Sequence, residues 1–196
     1  MTPLNTRIAS LFLLASCAFG SASATTIDFE SANGTPGGVN YENGPISTQG
    51  FSFSSNMFVI DVTNGVYSGE GPAHSGSFAT INDGFGALML SAASAGVFAL
   101  RDFWIHGFLG DAGASSVTGY LNGVQVGSIA FATSADWQNI VANFAQVDQV
   151  VIDGFGSYLV DDIGATLDAS AVPEPASLAL FGLGLAGLAA WRRKRA

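Results

Sequence analysis

Tyr120-Leu121-Asn122-Gly123-Val124-Gln125-Val126 is the clearest hairpin signal in the chain. Asn-Gly accepts the positive φ values of a type I′ turn, and apolar and polar residues alternate on both sides, so two strands pair antiparallel across it. Working outward, β-rich or alternating segments recur between Gly, Asn, Asp and Ser breaks. They cover residues 26–30, 51–54, 58–63, 77–81 and 87–91 before the hairpin strands, and longer stretches at 96–108, 115–121, 124–131, 137–144, 147–154 and 158–167. No segment away from the two ends sustains a 3.6-residue apolar stripe. About ten short strands within residues 25–171 predict an all-β domain of two packed antiparallel sheets, a jelly-roll-like β-sandwich. No period repeats, which excludes a propeller or solenoid. Residues 33–50, rich in Gly, Asn and Pro, and residues 64–76 are expected to be long loops.

Charge is distributed unevenly. The 196-residue chain carries six Lys and Arg against fifteen Asp and Glu, and five of the six cations lie at its ends. Between residues 25 and 171, fourteen acids face the single cation Arg101, a net charge of −13. Nucleic acid is excluded as a partner, because holding phosphates requires clustered Lys or Arg.

The first 24 residues have the form of a signal peptide. Arg7 precedes an apolar run over residues 8–19, and Ala22-Ser23-Ala24 is the small-x-small site that signal peptidase accepts, so cleavage after Ala24 leaves Thr25 as the new N-terminus. An alternative is a lipobox at Leu14-Ala15-Ser16-Cys17, with Cys17 lipidated. Cleavage after Ala24 leaves an exported domain without cysteine, which removes disulfides, thiolate nucleophiles and Cys-based zinc sites.

The last 25 residues form a second unit. Pro173-Glu174-Pro175 is rigid and non-helical. Residues 176–191 follow without a charge and, as a helix, span roughly 24 Å, somewhat less than the hydrocarbon core of a bilayer. Trp191 suits the interface, and Arg192, Arg193, Lys194 and Arg195 are expected to stay on the cytoplasmic side as a basic stop. A plain C-terminal anchor is the alternative. Pro-Glu-Pro, a short apolar helix with glycines and a terminal basic cluster, in that order, resemble the PEP-CTERM sorting signal of Gram-negative bacteria. The resemblance implies processing near Pro173, Glu174 and Pro175 by exosortase, a membrane protease. It further implies an inner-membrane precursor held through the helix, and a destination at the cell surface or in a biofilm matrix with exopolysaccharide. It says nothing about the activity of the exported domain.

Within that domain, catalysis is not expected. Only His74 and His106 are available to a nucleophile, no Gly-x-Ser-x-Gly elbow occurs, and His74 falls in a turn expected to be exposed. The acids leave a polysaccharide hydrolase as the least favoured of three readings. The first is a non-enzymatic surface or matrix protein, and the second is a carbohydrate-binding module. Residues 156–163 resemble the closing strand, with paired acids, of galactose-binding-like and carbohydrate-binding jelly rolls. In the strand around Arg101, period-two alternation places Asp102, Trp104 and His106 on one face and Arg101, Phe103 and Ile105 on the other. The expected role of Trp104 is a core aromatic. Its alternative is a sugar platform in which the indole stacks on C–H faces while Asp102 and His106 bind hydroxyls. Arg101 is expected to be an ion-pair partner. Solvated acids are the default for the rest. Asp28, Glu30, Asp161 and Asp162 are the set that could hold a structural calcium, provided a bulge turns the adjacent pair to one side.

Overall fold

The computed structural model describes residues 24–32, 39–40, 46–54, 57–70, 72–82 and 86–168. The signal peptide with Cys17 and Ala22, and the C-terminal unit with Pro173, Glu174, Pro175 and residues 176–191, lie outside the described residues.

Thirteen strands are described: β1 Ala24–Ile27, β2 Val39–Asn40, β3 Ser47–Thr48, β4 Phe51–Phe53, β5 Met57–Asp61, β6 Phe78–Asn82, β7 Leu88–Ala92, β8 Phe98–Gly107, β9 Gly113–Leu121, β10 Val124–Thr133, β11 Gln138–Val147, β12 Gln149–Asp153 and β13 Tyr158–Leu167. They form two antiparallel sheets, in the order β11-β8-β13-β6-β5-β2 with β1 also on β13, and β10-β9-β12-β7-β4-β3. The expected sandwich is observed. The hairpin pairs Val124 with Leu121 across Asn122 at φ 52° and Gly123 at φ 74°, the geometry expected of Asn-Gly. The stretch expected to be one long loop, residues 33–50, instead contributes β2 and β3, two residues each.

Alternation builds the core. Phe98, Leu100, Phe103 and Ile105 of β8 point inward with Tyr158, Val160, Ile163 and Ala165 of β13, against Phe51, Phe53, Leu88, Leu90, Val117, Val150 and Ile152 of the other sheet. Burying each large apolar side chain contributes about 1.5–3 kcal/mol. Phe51 meets Phe98 edge-on with ring centroids 5.4 Å apart, and Phe53 meets Phe29 at a tilt at 5.3 Å. Phe144 of β11 enters a slot made by two glycines that face each other in register, Gly119 of β9 and Gly127 of β10. A Cβ on Gly119 would lie 2.8 Å from the Phe144 ring and one on Gly127 would lie 2.7 Å from it, so neither position admits a side chain without moving that ring.

The outer face of the larger sheet is covered as well. Ile60, Val62, Ala73, Ile81 and Leu159 form a second apolar cluster, with Phe58, Tyr67, Phe108 and Trp137 packed against it. Its roof is the segment between β5 and β6, which includes a 3-10 turn at Gly65–Glu70.

Candidate functional site

The site grows from an irregularity in β13. Its first half pairs with β6, through Leu159 with Ile81 and Val160 with Thr80, and its second half with β1, from Ile163 with Ile27 to Thr166 with Ala24. The change of neighbour falls at Asp161 and Asp162. Along the other edge, Asp161 sits opposite Trp104 and Gly164 opposite Asp102, so β13 spends one more residue than β8 over that interval. Asp162 absorbs the excess at φ 45°. This is the bulge that turns two adjacent side chains to one side.

Both carboxylates meet the roof at Ser75. The Ser75 N–H donates to Asp161 Oδ2 at 3.0 Å and its hydroxyl to Asp162 Oδ1 at 2.8 Å. Asp162 Oδ2 lies 2.6 Å from His74 Nδ1, and the Asp162 N–H donates to Asp161 Oδ1 at 2.8 Å. Asp161 is fully buried. Burial pushes its carboxyl up to about 8, and the charges of Asp162 and Glu30 act in the same direction; the N–H groups of Ser75 and Asp162 oppose them.

Above these acids is a nest of aromatic rings. The His74 imidazole stacks on the Trp104 indole at 3.7 Å and 18°. Trp137 meets His74 edge-on at 5.9 Å and His106 at 5.3 Å, while its Nε1 donates to the Pro72 carbonyl at 3.1 Å. His106 is 7 % exposed, and its Nδ1 has no hydrogen-bond partner.

Several expectations change here. Trp104 is half-buried on the outer face of its sheet and is not part of the central core. His74, part of the roof itself, is half-buried, where an exposed turn was expected. Trp104 and His106 do face the same way, but the imidazole lies across the indole, and Asp102 Oδ1 accepts from Arg101 Nε at 3.1 Å. Asp102, Trp104 and His106 therefore do not form an open platform. Arg101 is an ion-pair partner, although its side chain is well exposed and the pair contributes little to stability.

The four acids considered for calcium are held by protein groups. Glu30 Oε1 accepts the N–H groups of Ser77 and Phe78, both at 2.8 Å, and Asp28 Oδ1 accepts from the Gln49 amide at 3.3 Å. Among the described residues no three His, Cys, Asp or Glu side chains are placed to share a metal ion. A structural calcium at Asp28, Glu30, Asp161 and Asp162 would have to draw these groups around one point, since metal binding needs several oxygens there. Melting curves in calcium, magnesium and sodium chloride at matched ionic strength are therefore expected to coincide, with Tm rising modestly with salt as carboxylate repulsion is screened. A calcium-specific rise that Asp162→Ala removes would restore the metal.

His74, Ser75 and Trp137 were not apparent as site residues. His74 and Asp162 stand 88 positions apart, and no local pattern joins them.

Among the described residues, no helix is long and apolar enough to cross a membrane. No curated protein matches the chain. Solved structures similar to it include TmCBM61 in complex with β-1,4-galactotriose, at 17 % identity and TM-score 0.38, covering 61 % of this chain and 90 % of that one. The C-terminal family 22 carbohydrate-binding module of Clostridium thermocellum Xyn10B is similar at 9 % identity and TM-score 0.39, covering 76 % and 94 %. Likeness this distant says nothing about a ligand of this chain. Residues 171–194 match the PEP-CTERM protein-sorting motif. With that motif C-terminal to its β-sandwich, the chain is an exported protein sorted through exosortase.

Proposed function

We propose that this protein is a non-enzymatic component of the cell surface or extracellular matrix, associated with exopolysaccharide in biofilm and released or attached after its C-terminal signal is processed. The sorting motif at residues 171–194 carries the reading. The side chains that would suit catalysis support it, because they are engaged in holding the roof. Ser75 directs its hydroxyl at Asp162 and not at an imidazole, and His74 is fixed between Asp162 and Trp104. Signal peptidase acts between Ala24 and Thr25 in this reading. Thr25, Thr26 and Ile27 would remain paired with Ala165, Gly164 and Ile163, so the new N-terminus is held in the sheet.

Replacing Glu174 and both prolines is expected to leave essentially all of the protein as a full-length, membrane-retained precursor in a host with exosortase. Mass spectrometry of wild-type protein recovered outside the cell is expected to find Thr25 at its start and no basic tail. Exported wild-type protein that still contains Arg192 to Arg195 would overturn the assignment.

A second reading is a carbohydrate-binding module acting through Trp104, favoured by an indole that is not fully buried and by Asp102 two residues before it on the same strand. It requires a sugar to displace the His74 ring, so Trp104→Ala and His74→Ala should affect binding in opposite directions.

A further inference from the structure

We propose a glycan-binding site at the end of the sandwich where β12 passes into β13, built on Phe155 and separate from the Trp104 cluster; it rests on the reading that the protein retains exopolysaccharide. Phe155 is a large aromatic left 48 % exposed. Its ring lies across Gly113 of β9, where a Cβ would overlap the ring carbons, so one face rests on backbone that only glycine can provide. The ring also borders an open groove of about 420 Å³, lined further by Ser115, Ser116, Asp153, Gly154 and Gly156. That volume lies within the range of small-ligand sites.

The loop carrying the ring is held in place from several sides. The Phe155 N–H donates to Ser115 Oγ at 2.9 Å, and the Ser157 N–H to Asp111 Oδ2 at 2.8 Å. The Ser157 carbonyl accepts from the Phe108 N–H at 2.9 Å, and the Gly156 carbonyl from the Asn82 amide at 3.2 Å. A ring fixed before binding loses little freedom when a ligand arrives. Ser116 and Asp153 face each other in register on β9 and β12, placing a hydroxyl and an exposed carboxylate beside the ring.

These groups define a ligand class. The aromatic face suits the C–H face of a pyranose, and the hydroxyl and carboxylate suit sugar hydroxyls. The lining has no Lys or Arg and includes one carboxylate on a strongly acidic domain, which repels uronates and sulfated sugars. The ligand is a neutral polysaccharide.

Affinity electrophoresis of the exported protein in gels containing β-1,4-galactan, xylan, the neutral polysaccharide of the producing cell, or polygalacturonate tests this. At least one neutral polymer is expected to retard the wild type and polygalacturonate is not. Phe155→Ala is expected to weaken that retardation about tenfold, with only a small fall in Tm because about half of the side chain is exposed. Asp153→Asn weakens it less, whereas Phe155→Tyr and Trp104→Ala bind as the wild type does. Wild-type binding that survives Phe155→Ala but fails in Trp104→Ala would overturn this site and leave the exopolysaccharide reading intact. Preference for polygalacturonate would overturn the neutral class. A wild type retarded by none of the neutral polymers would overturn the exopolysaccharide reading itself, and this site with it.

Discussion

Between pH 4 and pH 8 the sandwich is expected to lose stability as the pH rises, and Asp161→Asn is expected to remove most of that slope. Asp161 is fully buried, and its carboxyl is pushed from an ordinary value of 3.8 to about 8. The folded state therefore keeps a proton that the unfolded chain releases near pH 4. Below that pH both states are protonated, and the contribution to folding is fully present. Through the interval up to about 8 the unfolded state gains by ionising, so stability falls by at most about 1.4 kcal/mol per pH unit. For a domain of this size that corresponds to roughly 3 °C of Tm per unit. Above the folded value both states are ionised and the curve flattens. Asparagine keeps one acceptor for the N–H groups of Ser75 and Asp162 and cannot ionise, so its melting temperature should change little across the range. A wild-type Tm that is constant from pH 4 to pH 8 would refute the account.

Tyr158→Phe is expected to cost about 2–3 kcal/mol, a fall in Tm of roughly 5–10 °C. Tyr158 is fully buried among the core side chains, and its hydroxyl connects the sheets: it donates to the Ile152 carbonyl at 2.8 Å and accepts the Leu88 N–H at 3.0 Å. Burial pushes the phenol up to about 12, with the Leu88 N–H pulling the other way. Phenylalanine fills the same volume, so the loss isolates the hydrogen bonds. A loss below about 0.5 kcal/mol in thermal or urea unfolding would show that those backbone groups find other partners.

The longer strands were legible where one face is more apolar than the other, because that difference leaves an alternating trace. That trace is plain in Phe103 and Ile105, and in the β9–β10 hairpin around Asn122 and Gly123. Two-residue strands such as β2 and β3 are too short to alternate; β2 pairs with the distant β5, and β3 with β4 just across the turn at Gln49 and Gly50. Trp104 shows a different limit. Alternation grouped it correctly with His106, yet could not tell which face is central, because this sheet is covered on both sides. Arg101 departs from its expected companions because it is an extra residue on β8, lying between Leu100 opposite Ala165 and Asp102 opposite Gly164. The site itself depends on the bulge at Asp162, where an ordinary aspartate takes a positive φ. Nothing in Val160-Asp161-Asp162-Ile163 signals that conformation, and the partners that hold it, His74 and Ser75, belong to a distant roof.

The course of β13 has a mechanical consequence. The strand starts three residues after Phe155 and ends at Leu167, where the chain continues toward its sorting signal. Ten residues at about 3.3 Å each make it roughly 33 Å long. β8 pairs with it from Tyr158 to Leu167, while β6 and then β1 flank the opposite edge. A polymer pulling at Phe155 against whatever holds the chain beyond Leu167 would draw along the axis of this central strand. The rungs on both edges would then be sheared together, sharing the tension, where a pull across the strand would open them one after another from an end.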